Sequence, residues 1–248
     1  MKKIALVTGA GSGIGRETSG ALVDAGFHVV LTGRRQSALD ETIEQFNAGD
    51  NMSAVTCDIS DEASVDALFK AVESEHGRLD VLFNNAGNNV PAMTIDELSV
   101  DQWRTVIDVN LTGAFMAARG AFALMRKQNP QGGRIINNGS ISASSPRPGS
   151  VPYTTSKHAI SGLTKTIALD GRPFSIACGQ IDIGNTASAM TDAFAKGVPQ
   201  ADGSIKPEPT MNTKHVAEAV VNMANLPLDT NVLNMTIMAT NMPLVGRG

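Results

Sequence analysis

Five consecutive residues, Tyr153-Thr154-Thr155-Ser156-Lys157, set a phenol four positions ahead of an ammonium. On a helix, positions i and i+4 share a face, with Cβ atoms about 5–6 Å apart. At that distance, and at an effective dielectric of about 20, a positive charge favours the phenolate by about 3 kcal/mol. That is roughly a hundredfold in the ionisation constant. It would bring the phenol toward the range useful for proton transfer at neutral pH. Tyr153 is the single tyrosine of the chain, so its behaviour can be measured in isolation.

A second group of residues reads as a phosphate site. The short apolar run at residues 4–8 leads into Thr8-Gly9-Ala10-Gly11-Ser12-Gly13-Ile14-Gly15, and a helical pattern follows. Glycines let a backbone approach a pyrophosphate, and a helix N-terminus supplies N–H groups and the positive end of a dipole. The spacing is G-x-x-x-G-x-G and not the strict dinucleotide fingerprint G-x-G-x-x-G. The next apolar run ends at Gly33-Arg34-Arg35. Dinucleotide folds that take NAD place an acid there to hold the ribose 2′-hydroxyl. Guanidinium groups suit a 2′-phosphate instead. NADP is therefore expected ahead of NAD, with Arg34 as the contact. Arg35 is either a second contact or a solvated residue of the following helix.

These residues need elements that carry them to one edge. Apolar, β-rich runs at residues 4–8, 28–32, 52–57, 81–83, 134–137, 174–178 and 232–238 alternate with helical patterns. The helical patterns cover about residues 13–25, 37–46, 62–76, 100–127, 153–169 and 213–224. This alternation predicts an α/β fold: a single-domain, Rossmann-like, doubly wound parallel sheet of about seven strands with helices on both faces. With 248 residues, 42% hydrophobic and 18% charged, the chain can bury one large core, and disorder is excluded. The 20 basic and 24 acidic residues include no Lys/Arg run, which argues against nucleic acid as a partner. Cys57 and Cys178 cannot staple a fold of this size and point to a reducing, cytoplasmic setting. The apolar run after Met1-Lys2-Lys3 is too short for a secretory leader, and no stretch is long enough to span a membrane. His28, His76, His158 and His215 are scattered and read as structural or surface residues, so no metal site is expected.

Over essentially its whole length the chain resembles the short-chain dehydrogenase/reductase family, especially NADP(H)-dependent members such as the 3-oxoacyl-(acyl-carrier-protein) reductase-like proteins. The resemblance rests on Thr8-Gly9-x-x-x-Gly13-x-Gly15, Cys57-Asp58-Ile59-Ser60, Asn84-Asn85-Ala86-Gly87, Asn110, Ser140 and Tyr153-x-x-x-Lys157. It implies an oxidoreductase that moves a hydride between NADP(H) and a carbonyl/secondary alcohol substrate. Tyr153 would be the general acid/base. Ser140 would hydrogen-bond the reacting oxygen, with Ser142 as a rival. Lys157 would hold the nicotinamide ribose and lower the Tyr153 pKa, and Asn110 would anchor a water leading from Lys157 to solvent. Thr8, Gly9, Gly11, Ser12, Gly13, Ile14 and Gly15 would cradle the pyrophosphate, with Gly33, Arg34 and Arg35 beyond them. Asp58, flanked by Cys57 and Ile59, would take the adenine amino group or cap the helix opening near Asp61. Asn85, Ala86 and Gly87 would line the cofactor. The helices at 100–127 and 153–169 would pack on a partner subunit in a homotetramer or homodimer. The alternatives are a non-catalytic NADP-binding sensor, or dehydration or epimerisation on the same fold.

The chain departs from the family's pattern after the sixth strand. Relatives read Pro-Gly-x-x-x-Thr there, and this chain has Ile183-Gly184-Asn185-Thr186-Ala187-Ser188. Gly184 would still admit the nicotinamide end, and Thr186 is the expected carboxamide contact. The preceding Cys178-Gly179-Gln180-Ile181-Asp182 is more polar than relatives carry, and nothing in the sequence accounts for it. Residues 191–210, punctuated by Gly197, Pro199, Gly203, Pro207 and Pro209, read as a substrate lid. Residues 88–93 and 142–151 would line the substrate with it. Arg147 would either face a substrate acid or lie in solvent. The Met-rich tail at 235–248 would cover a neighbouring subunit's pocket or pack as an ordinary strand.

Overall fold

The side chains of the first strand alternate between two apolar clusters. In β1 (Ile4–Thr8), Ile4 and Leu6 enter one cluster and Ala5 and Val7 the other. Successive strand residues face opposite ways, so a strand apolar at every position must be covered on both faces. The computed structural model describes residues 2–187 and 197–245. Its strands continue with β2 (His28–Gly33), β3 (Met52–Thr56), β4 (Val81–Asn84), β5 (Gly133–Asn138), β6 (Ile176–Ile183), the short β7 (Val198–Pro199) and β8 (Ile205–Lys206), and β9 (Asn234–Ile237). The main sheet has seven strands in the order β3-β2-β1-β4-β5-β6-β9, and every adjacent pair is parallel.

The helices are α1 (Gly13–Asp24), α2 (Gln36–Gln45), α3 (Glu62–His76), α4 (Val100–Ile107), α5 (Ala114–Lys127), α6 (Val151–Asp170) and α7 (Thr213–Asn225). Leu22 of α1, Leu39 of α2 and Val216, Val220 and Met223 of α7 cover one face. Leu68 and Val72 of α3 and Ala117, Ala121 and Met125 of α5 cover the other. The strand order changes direction beside β1 and β4. In open parallel sheets that point leaves a crevice at the carboxyl ends of the strands.

Two elements differ from their expected form. The pattern at 100–127 is not one helix: a π-helical turn, Asp108–Gly113, separates α4 from α5. Its register lets Gly113 press on the Ile59 carbonyl, where a Cβ would stand 2.7 Å away. The expected strand at 174–178 instead runs from Ile176 to Ile183. Gln180 hides this extension in the sequence, because a buried amide breaks the apolar pattern; here it is 1% exposed and bonded to Ser161, Thr164 and Asp182.

Arg134 of β5 is the largest fully buried side chain, with 1% exposure. Its guanidinium donates to the carbonyls of Leu226, Pro227 and Thr230 and to Asn231 Oδ1, at 2.9–3.2 Å. These oxygens cluster just beyond the C-terminus of α7, where a cation also meets the negative end of the helix dipole. Arg134→Met should therefore strand several carbonyls and cost about 3 kcal/mol. For a chain of this size that is a fall of roughly 10 °C in Tm. Thermal unfolding followed by circular dichroism checks it, and an unchanged Tm would remove Arg134 from the account of how α7 is anchored.

Candidate active site

The carboxyl ends of β1, β4, β5 and β6 border a cleft of about 290 Å³. Its floor is the turn after β1. Gly9 and Gly13 have φ of +67° and +52°, in the left-handed region that favours glycine. A Cβ on Gly15 would stand 2.3 Å from the Gly9 carbonyl oxygen. Thr8 Oγ1 accepts the N–H groups of Asn85 and Ala86, both at 2.9 Å, and Asn85 Nδ2 donates to Thr8 O at 2.9 Å. This stitch joins the turn to the loop after β4. Ser12 starts α1 without a side-chain capping bond, so the first N–H groups of the helix remain available to an anion. Ser12, Gly13, Ile14, Gly15, Asn85, Ala86 and Gly87 all line the cleft.

A second lobe continues toward β2 and β3. It shares Gly9, Ala86, Gly87 and Asn88 with the first, and Thr8, Gly33, Arg34, Cys57, Asp58 and Ile59 are among those it adds. The two lobes together have the extended form a dinucleotide needs. The glycine cradle and the uncapped helix N-terminus fit its pyrophosphate.

At the other end of the cleft stand Tyr153 and Lys157 on the first turns of α6. Lys157 Nζ donates to Asn138 O at 2.7 Å and lies 5.5 Å from the centre of the Tyr153 ring. Ser140 sits two residues beyond β5, close enough to Tyr153 to lower its pKa. Its Oγ accepts Ser142 N–H at 3.1 Å, so Ser142 supports Ser140 through its backbone. Asn110 is buried in the π-helical turn. Its side chain accepts Asn88 N–H at 2.8 Å and donates to Asn88 O at 2.9 Å, and it reaches Ser156 Oγ at 3.4 Å. Asn138 Nδ2 donates to Asn85 Oδ1 at 2.8 Å, tying the β5 end of the site to the β4 end.

The electrostatics differ from the expectation drawn from the Tyr–Lys spacing. Burial pushes the Tyr153 phenol up, Ser140 lowers it, and Asp182 raises it further. Burial also brings Lys157 down to about 8, against an upward pull from Asp182. Taking a charge out of water outweighs a neighbouring charge whose ammonium is turned to a carbonyl.

Several expected residues are placed elsewhere. Gly11 packs on α2, with a Cβ position 2.9 Å from Ala38 Cβ, and its carbonyl accepts Arg16 at 2.6 Å. Arg35 is the exposed N-cap of α2 and does not line the second lobe. Asp61, not Asp58, caps α3 through Ser64 N–H. Asp58 accepts Ser60 N–H and Oγ–H at 3.0 and 2.6 Å, which lowers its pKa. Gly184 lines the cleft, but its close approach is to the tail: a Cβ there would meet Met238 Cβ at 2.7 Å. Thr186 also lines the cleft, with its hydroxyl donating to Gly184 O. Met242 of the tail packs on Ile141 of the same chain. Ser188 and residues 191–196 lie outside the described residues.

A family profile described as short chain dehydrogenase matches residues 3–198. The chain belongs to the short-chain dehydrogenase family. It is 39% identical over 194 residues to a 3beta-hydroxysteroid dehydrogenase of Mediterraneibacter gnavus, covering 77% of this chain and 68% of that protein. Its structure is similar to the closed form of serine dehydrogenase complexed with NADP+, with a TM-score of 0.86 and 27% identity over 98% of this chain and 97% of that one. It is also similar to 3-ketoacyl-(acyl-carrier-protein) reductase from Brucella melitensis complexed with NADH, with a TM-score of 0.85 and 24% identity over 96% and 98% of the two chains. As a member of this family the protein is an oxidoreductase acting on a CH–OH/carbonyl pair.

Two acids of this dehydrogenase are not evident from the sequence. Asp182 on β6 lies beneath the tyrosine–serine pair. Its Oδ1 accepts Ser140 N–H at 2.9 Å and Gln180 Nε2 at 2.6 Å, and its Oδ2 accepts Asn234 at 2.8 Å. A Cβ on Gly139 would collide with Asp182 Oδ1, so any larger residue there would displace the carboxylate. The polar run 180–182 is thereby explained. The other acid is Glu208, 5% exposed. Burial alone would raise its pKa, but hydrogen bonds from Arg147, Gln200 and Asn185 hold it at about 2. Arg147 is thus held in a largely buried ion pair and does not lie loose in solvent: it reaches both Glu208 oxygens, at 2.8 and 2.5 Å, and Asn185 Oδ1 at 3.0 Å. The clasp fastens 197–211 across the loop after β5. A run of polar residues following a β pattern is the available signal for Asp182; Glu208 offers none.

Asp182 is a positioning residue whose charge disfavours the phenolate and favours the ammonium. Asp182→Asn removes that charge, so the pKa of Tyr153 and that of Lys157 should both fall. With one tyrosine in the chain, ultraviolet difference absorbance reads tyrosinate directly. The midpoint should move to lower pH in the variant, and the acid limb of alcohol oxidation should move with it. An unchanged midpoint would disconnect Asp182 from the phenol.

Proposed function

We propose that the protein transfers hydride between NADP(H) and a carbonyl/secondary alcohol substrate, with Tyr153 as general acid/base. The observation that carries this reading is Tyr153 and Lys157 at one end of a cleft whose floor is the glycine cradle, with Ser140 just beyond the lining residues Asn138 and Gly139. When bound, the nicotinamide cofactor supplies or accepts the hydride. In the reducing direction Tyr153 Oη gives its proton to the oxygen of the substrate carbonyl. Ser140 Oγ, held by Ser142 N–H and Asp182 through the backbone, donates a hydrogen bond to the same oxygen. Lys157, whose ammonium donates to Asn138 O, would hold the cofactor's ribose when it is bound and would restore the phenol proton. Asn110 and Asn88 keep the route behind Lys157 polar. Oxidation runs the same steps backward.

Arg34 supports the preference for NADP. It lines the second lobe beside Gly33, where an acid would repel a 2′-phosphate. Residues 197–210, clasped by Glu208, serve as the base of the substrate lid. We assign a homotetramer or homodimer, because α5 and α6 leave a broad apolar groove with Phe115 and Leu169 exposed. Among the described residues no helix is long and apolar enough to cross a membrane, and both cysteines are free; these support a cytoplasmic setting.

Cofactor titration tests the first element of this reading. NADPH should bind more tightly than NADH, and Arg34→Ala should cost about tenfold in NADPH affinity with little effect on NADH. Equal binding in wild type would overturn the NADP assignment. For the chemistry, Tyr153→Phe should lower kcat at least about a hundredfold while NADPH affinity stays within about twofold of wild type. A variant that turns over normally would dismiss Tyr153 as the acid.

A further inference from the structure

At the end of the sheet opposite the cleft, two histidines far apart in the sequence meet. His28 opens β2, and His76 closes α3 directly after Glu75. Their ring centres are 4.6 Å apart, with planes inclined by 50°. One ligand atom from each of His28, Glu75 and His76 lies within 4.8 Å of the other two. His76 Nε2 is the telling atom. It is buried, has no hydrogen-bond partner, and stands 3.8 Å from Glu75 Oε1, beyond hydrogen-bond range. Buried polar atoms are almost always satisfied, so an orphaned imidazole nitrogen beside a second imidazole and a carboxylate points to an outside group.

We propose that His28, Glu75 and His76 form a site for one divalent transition-metal ion of the zinc class, separate from the catalytic cleft. The donor set selects the ion. Two imidazoles and a carboxylate suit zinc and its neighbours, whereas calcium and magnesium take oxygen alone. Groups that orient the ligands are in place. His28 Nδ1 lies 3.0 Å from Asp50 O, so it donates there and Nε2 carries the lone pair. Orientation of one ring nitrogen by a backbone carbonyl is the usual support of a metal-bound histidine. Ser53 Oγ, 3.1 Å from His28 Nε2, can rotate its proton away to release that lone pair. Metal–ligand distances are about 2.0–2.2 Å, so the three side chains need close by only about an ångström. Glu75 is exposed, which leaves an entry path and a fourth position for water. Such an ion would clamp the start of β2 to the end of α3 and stabilise the fold without touching the reacting groups.

The experiment uses the full chain, free of any affinity tag and stripped with a chelator. Zinc chloride is titrated by calorimetry, and cobalt(II) is followed by its visible absorption. Wild type should bind one ion per chain, with a Tm that rises with zinc. His28→Gln and His76→Gln should weaken binding about a hundredfold, and Glu75→Gln about tenfold. Turnover of any accepted carbonyl should be unchanged by zinc or by Glu75→Gln. Absence of binding in wild type, or equal binding in wild type and in the three variants, would overturn the site. If a histidine variant fails to fold, Glu75→Gln still decides, because its exposed side chain contributes no core packing.

Discussion

Helices seal both faces of β1, β4 and β5, and a sealed sheet can show polar groups to a ligand only at its ends. The apolar residues of β1 divide between the two clusters, and β4 is buried at every position. The chemistry therefore collects where the strands stop. The change of strand order beside β1 and β4 opens the crevice there, and the glycine turn, the loop after β4 and the residues after β5 are neighbours for that reason. Thr8, Asn85 and Asn138 stitch these three strand ends together through hydrogen bonds of 2.8–2.9 Å. A rigid sheet thus holds its site by the tips of its strands.

Electrostatics within the site are a balance between burial and two opposite charges. Lys157 carries an ammonium into a dry position and is brought down to about 8. The Tyr153 phenol is pushed the other way by the same burial, with Asp182 adding to it. In the protein alone the phenol therefore stays protonated, the form that gives a proton to a carbonyl oxygen. Asp182 pulls both groups upward, adding to burial at Tyr153 and opposing it at Lys157. Ser140 belongs to the same unit, because its backbone N–H is bound to Asp182 and its side chain lowers the Tyr153 pKa.

Around this centre the chain closes on itself. Glu208 draws together Arg147, Asn185 and Gln200, so the loop after β5, the turn after β6 and the β7–β8 hairpin share one buried ion pair. Removing one partner of such a pair leaves a charge without a counterpart and is far more costly than never having had the pair. The tail packs against Gly184 and Ile141 and supports that turn from behind.

Local chemistry is legible in the amino-acid sequence itself. The alternation of apolar runs and helical patterns leads to a parallel doubly wound sheet, and the glycine spacing leads to an anion cradle, because both depend on near neighbours in the chain. The Tyr153–Lys157 pair is visible in the same way. Other features are not legible, each for a reason of distance. The π-helical turn that holds Asn110 packs Gly113 against Ile59, a residue far from it in the chain. The extent of β6 and the role of Asp182 depend on which residues of β5 and α6 lie opposite it. The contact of His28 with His76, and that of Arg147 with Glu208, require two remote segments to fold against each other. The ionisation of Tyr153 belongs here too. Spacing states which charge stands beside the phenol, but the water removed around both groups, which packing alone fixes, decides the direction of the shift.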